Sequence, residues 1–78
     1  MTRYFFNMQD NETVLDPEGI EFVDLKAARE EGIRAFGELI RDKCVPSDNG
    51  GPFCLWITDQ PGGNGDTLFT VTAKAKSK

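Results

Sequence analysis

Ile20-Glu21-Phe22-Val23-Asp24-Leu25-Lys26-Ala27-Ala28-Arg29-Glu30-Glu31-Gly32-Ile33-Arg34-Ala35-Phe36 is the stretch in which the hydrophobic period changes, and with it the fold class is decided. Ile20 and Phe22 alternate with Glu21 and Val23, the spacing of an extended strand. From Leu25 the period becomes helical. At about 100° per residue, Leu25, Ala28, Gly32, Ile33, Ala35, Phe36, Leu39, Ile40 and Cys44 gather on one half of the circumference. Glu30, Glu31, Arg34, Glu38, Arg41 and Asp42 take the other half, with Glu30 and Arg34 spaced as a favourable pair. Asp24 has the chemistry of an N-cap, since its carboxylate can accept from the unpaired N–H groups of the first turn. The pattern predicts a helix from Leu25 to about Lys43. Gly32 lies on its apolar side, where close approach to a sheet would exclude a side chain.

Outward from this helix the chain reads as strands. Arg3-Tyr4-Phe5-Phe6-Asn7-Met8 is rich in β-formers, with Tyr4, Phe6 and Met8 on one face and Arg3, Phe5 and Asn7 on the other. Thr13-Val14-Leu15 can return as a short strand. Asp16-Pro17-Glu18-Gly19 then carries turn chemistry, with Asp first, Pro second and Gly fourth. Residues 13–23 therefore form one second strand with an irregularity or two short ones. Beyond the helix, Pro46 and Ser47-Asp48-Asn49-Gly50-Gly51-Pro52 read as a mobile connector. Phe53-Cys54-Leu55-Trp56-Ile57-Thr58 is apolar on both faces, as suits a central strand. Gln60 to Asp66 is a floppy glycine-rich hairpin loop, and Thr67 to Thr72 is the last strand. The expected fold is α+β, β-β-α-β-β: an antiparallel sheet of about four strands with one helix packed on one face. The domain is expected over residues 1–72, with 73–78 a lysine-rich tail.

Composition bounds the chemistry. In 78 residues the chain holds 9 cations and 13 acids, a net charge of −4. Lys74, Lys76 and Lys78 stand in the tail, so the preceding 72 residues carry −7. Asp10, Glu12, Asp16, Glu18, Glu21 and Asp24 fall between Met8 and Lys26 with no cation among them. Such a surface repels phosphates and argues against direct nucleic-acid binding. With no His, the chain lacks the commonest general base and metal ligand, and Cys44 and Cys54 alone cannot supply a zinc site. No apolar run approaches the roughly 20 residues of a membrane span. Met1–Met8 is too short an apolar stretch for a secretory signal, so a cytoplasmic protein with both thiols reduced is expected.

The local motifs give no active site. Asp10 to Glu21 has Val14 and Leu15 where a calcium loop needs a ligand oxygen and a glycine. Gly62-Gly63-Asn64-Gly65 precedes no Lys-Ser/Thr pair and opens no helix, so it is not a phosphate cradle. Tyr4, Phe5, Phe6 and Trp56 resemble a base-stacking platform only if basic residues interleave, and none does. No cofactor, metal or catalytic residue is nominated, and an enzyme is not expected.

Arg3-Tyr4-Phe5-Phe6, an acidic turn, Asp16-x-x-Gly19-x-Glu21 and Asp24-Leu25-x-x-Ala28-Arg29-x-Glu31 resemble a small uncharacterised family found widely in alphaproteobacteria, whose members open with Arg-Tyr-Phe-Phe. Ile57-x-Asp59 and Leu68-x-x-Val71 extend the resemblance over nearly the whole chain, while the loop at 60–66 is longer than the family's and the lysine tail departs from it. The resemblance implies the fold and no activity, cofactor or catalytic residue.

What remains is a protein-interaction module, self-associating or docking to another protein. Because one helix covers one face of the sheet, Tyr4, Phe6, Met8 and Trp56 are the expected apolar contact residues, with Asp10, Glu12, Asp16 and Glu18 the expected acidic ones. The alternative is an acidic inhibitor or nucleic-acid mimic that occupies a basic groove on another protein.

Overall fold

A computed structural model describes residues 1–10, 12–43 and 51–75. Residues 46–50 of the expected connector, Cys44 and the last three residues of the tail lie outside the described residues. The order is β1 (Thr2–Gln9), β2 (Thr13–Val14), β3 (Ile20–Phe22), α1 (Leu25–Lys43), β4 (Phe53–Thr58), a short 3-10 turn (Pro61–Gly63) and β5 (Thr67–Ala73). All strand pairs are antiparallel: the sheet runs β2-β1-β4-β5, and β3 also pairs with β1. This is an α+β fold of one helix on a five-stranded sheet.

The helix begins where the sequence places it. Asp24 Oδ1 accepts from Ala27 N–H at 2.9 Å, and the Asp24 carbonyl accepts from Ala28 N–H at 3.3 Å. Ala28, Gly32 and Phe36 form the buried stripe. Gly32 meets the sheet closely: a Cβ there would lie 3.3 Å from the Phe6 ring and 3.4 Å from Leu55. Ile33, grouped with the apolar side by period, is 51% exposed. Its position at the edge of the arc takes it past the sheet. Arg34 pairs with Glu31 and Glu38, three residues back and four ahead, and not with the expected Glu30.

Register, together with the contact of Gly32 on Phe6 and Leu55, settles which face the helix covers. Phe6 stands opposite Ile57 and Met8 opposite Leu55, while Asn7 stands opposite Trp56. Tyr4, Phe6, Met8, Leu55 and Ile57 thus share the face under α1, with Tyr4, Leu55 and Ile57 in the buried core. Phe36 stacks on Phe53 with ring centroids 4.7 Å apart and planes 10° apart, and Phe22 packs edgewise on Phe6 at 5.8 Å. Tyr4, at 7% exposure, is a core residue. The four expected apolar contact residues, Tyr4, Phe6, Met8 and Trp56, therefore do not share one surface. Tyr4, Phe6 and Met8 lie under the helix, and Trp56 lies on the opposite face.

That opposite face is not bare either. Phe5 is 6% exposed and Asn7 and Thr58 are fully buried, although no helix lies there. Two loops cover them. Gly19, with φ of 72°, presses so close that a Cβ would sit 2.8 Å from both the Phe5 ring and the Tyr4 carbonyl, which is why only glycine fits the turn. The loop after β4, read from the sequence as floppy, is tied down: Gly62 N–H donates to the Asp16 carbonyl at 3.0 Å, and Thr58 Oγ1 donates to the Gln60 carbonyl at 2.9 Å.

The second strand is two short ones, broken at the Asp16–Gly19 turn, where Pro17 has no N–H to give a ladder and Gly19 takes a positive φ. β3 takes Thr2 to Tyr4 and β2 takes Met8 and Gln9. Between them the Asp16 carboxylate stands in for a strand, accepting from Phe6 N–H at 3.0 Å. Its other oxygen accepts from Glu18 N–H and Gly19 N–H at 3.1 and 3.0 Å. Asn7 completes the seal: its side-chain oxygen accepts from Asp16 N–H at 3.0 Å, and its Nδ2 donates to Thr58 Oγ1 at 3.1 Å.

Candidate functional site

Splitting the second strand in two leaves room beside the helix. Glu31, Ala35, Leu39 and Lys43 recur every four residues, so they form one stripe along α1 that faces the β1–β2 side of the sheet. Twelve residues of helix make this stripe about 18 Å long. Opposite it stand Phe6 and Met8 of β1, Val14 of β2 and Ile20 of β3. Two adjoining hollows with Met8 and Leu39 in both walls result, of about 540 Å³ at the Lys43 end and about 190 Å³ at the Glu31 end. Together they form an open groove with an apolar floor. Val14 and Ile20 on its outer wall are 55% and 51% exposed, high values for aliphatic side chains beside a core.

The rim is acidic. Asp10, Glu12, Asp16 and Glu31 line the groove, and Lys43 is the one cation among the described residues that line it. The Asp16 carboxyl feels two opposed effects. Burial raises its pKa, but the N–H groups of Gly19, Phe6 and Glu18 and the charge of Arg3 together hold it below the usual carboxylate range. The hydrogen bond from Arg34 likewise lowers Glu31. Both remain anionic at neutral pH.

Of the residues the sequence nominated, the fold gathers Phe6, Met8, Asp10, Glu12 and Asp16 around this groove. Tyr4 is withdrawn into the core, Trp56 is half-buried on the far face, and Glu18 is exposed in the turn, where its carbonyl accepts from Arg3 at 2.8 Å. Asp16 is as much a structural carboxylate as a rim acid. The helix stripe, Val14 and Ile20 are the lining residues the sequence reading missed. Their signal was weak, since Val14 stands in a strand of two residues and Ile20 in one of three. Among the described residues no three His, Cys, Asp or Glu side chains are grouped so as to hold a metal ion, and no helix is long and apolar enough to cross a membrane. Cys54 is a free thiol, and its sulfur accepts from Thr72 Oγ1 at 3.6 Å.

No curated protein and no solved structure matches the chain. One family model does, over residues 3–74, from the Arg3 that ties down the Glu18–Gly19 turn to the residue after β5, and so across every element of the sheet and the helix. The chain belongs to the family described as Domain of unknown function (DUF6894).

Proposed function

We propose that this domain is a protein-interaction module whose groove receives an amphipathic, basic segment of another protein. The observation that carries the reading is the pairing of an apolar floor with an acidic rim: Met8, Val14, Ile20 and Leu39 below, Asp10, Glu12, Asp16 and Glu31 above. An 18 Å trough, roughly three helical turns long, fits an α-helix laid with its apolar side down and its cations toward the rim. Inhibition or nucleic-acid mimicry by charge alone has less support. Glu21 and Asp24, which lie outside the groove, are engaged by Arg3 and by Ala27 N–H, which breaks up the acidic row of the sequence.

A synthetic 14-residue helical peptide with leucine on one side and lysine on the other tests this, titrated by amide chemical shifts. Shifts should concentrate at Met8, Val14, Ala35 and Leu39 and weaken with salt. Val14→Lys, at an exposed position, should weaken binding about tenfold by adding a cation and removing an apolar contact. Trp56→Ala, on the far face, should leave binding unchanged. Equal binding by the Val14→Lys variant, or equal binding of an acidic peptide with the same leucines, would overturn the groove as the site.

A further inference from the structure

The far edge of the sheet carries a second surface, independent of the groove. β5 is the last strand in the order, so one side of its backbone has no strand beside it among the described residues. Natural edge strands are usually blunted by an inward charge, a proline, a bulge or short length. Thr67-Leu68-Phe69-Thr70-Val71-Thr72-Ala73 has seven residues, no charge and no proline. Its one irregularity, opposite Ile57 and Thr58, falls near its start and leaves Phe69 to Ala73 regular.

We propose that β5 pairs with β5 of a second copy of this chain, antiparallel about a two-fold axis at Thr70, continuing the sheet from one subunit into the other. The charges specify the occupant. Asp66 lies four residues before Thr70 and Lys74 four after it, and both are exposed. Antiparallel self-pairing sets Asp66 against the partner's Lys74 at both ends, whereas parallel pairing sets like against like. The apolar faces agree with this register. Phe69 and Val71, half-buried at the margin of the core, each meet the other residue of the partner, so the core runs on across the axis. Arg29, 4.9 Å above the Phe69 ring, roofs this margin on the helix side. The axis stands perpendicular to the sheet, so both helices lie on the same side. A one-strand interface is narrow, which makes the dimer weak and concentration-dependent.

Sedimentation velocity across a concentration series tests the proposal. The mass of the parent should rise from monomer toward dimer. Thr70→Lys places two cations face to face at the axis and should raise the dissociation constant about fivefold. Asp66→Lys and Lys74→Asp should each weaken the dimer by a similar factor, and the double exchange should restore it. A parent that is monomeric at its highest soluble concentration would overturn the proposal. So would a dimer indifferent to Thr70→Lys, or a double exchange that recovers nothing. The leucine–lysine peptide should bind the Thr70→Lys variant as it binds the parent, so failure here is distinguishable from failure of the groove.

Discussion

The sheet has two edges, and the chain finishes them in opposite ways. At β1 the edge is sealed by fragments: two residues of β2, three of β3, and the Asp16 carboxylate on the Phe6 N–H between them. Arg3 adds bonds to the Glu18 and Gly19 carbonyls and an ion pair to Glu21. At β5 the backbone simply ends the sheet. The first edge uses side chains with one allowed geometry, so it should be sensitive to substitution. The second uses threonines whose hydroxyls, Thr72 on the Cys54 sulfur apart, make no hydrogen bond among the described residues, so it should be tolerant in the monomer. An edge sealed by side chains is held for stability; an edge left open is available for association.

Both edges rest on the same core, which sets the largest effect. Phe36, 5% exposed and stacked on Phe53, joins the helix to β4 at the centre of the sheet. Phe36→Ala should cost about 3–5 kcal/mol, enough to unfold much of a domain this small. A thermal melt indistinguishable from the parent would break the helix-on-sheet account and with it the contrast between the edges.

The sealed edge comes next. Gly19→Ala should cost about 3 kcal/mol, because a positive φ is strained for alanine and its Cβ would meet the Phe5 ring and the Tyr4 carbonyl at 2.8 Å. The carbonyl cannot move without disturbing β1. Asp16→Ala should cost about 2–3 kcal/mol by leaving the N–H groups of Phe6, Glu18 and Gly19 without their acceptor. Chemical denaturation with a shared slope checks both. A loss below about 0.5 kcal/mol at either position would mean that the seal is decorative.

Asp16 also makes the sealed edge sensitive to acid. Its folded pKa lies below its unfolded value, so its contribution is fully present above the ordinary aspartate range. That contribution is lost as pH falls from about 4 through the folded value. Asp16→Asn should be less stable than the parent at neutral pH, and the difference should shrink as pH falls below about 4. Parallel pH profiles for the two proteins would show that the carboxylate is not what seals β1.

The two edges also differ in how well they could be read from sequence. β5 was legible, because a run of β-formers between Asp66 and Lys74 needs only local propensity. The helix was legible from Asp24 and the change of period. The turn at Asp16-Pro17-Glu18-Gly19 was legible too, but not the second carboxylate oxygen on Phe6 N–H. That bond joins residues ten apart and depends on where the chain returns. The same limit applied to Tyr4, Phe6 and Met8. Their alternation against Phe5 was plain, but both sets carry aromatics, and which set meets the helix is fixed only by the approach of Gly32 to Phe6, Leu55 and Ile57. Of the groove, the β1 side and the acids were visible, whereas the stripe Glu31-Ala35-Leu39-Lys43 mixes polar and apolar residues and sits at the seam between the two helix faces.

The smallest effect is expected at the open edge, and it is the sharpest test of the comparison. Thr70 is exposed at the middle of β5, opposite Trp56 of β4, the one strand that pairs with β5 among the described residues. Replacing it with lysine keeps a side chain compatible with an edge strand, removes no hydrogen bond of its hydroxyl found among the described residues, and buries no charge. Unfolding of the Thr70→Lys monomer at low protein concentration should therefore differ from the parent by less than about 0.5 kcal/mol. At high protein concentration the parent should gain stability that the variant does not, because association stabilises the folded state by mass action. A Thr70→Lys monomer destabilised by 2 kcal/mol or so would place this edge under the same structural constraint as the Asp16 edge, and the division of labour between the two would fail.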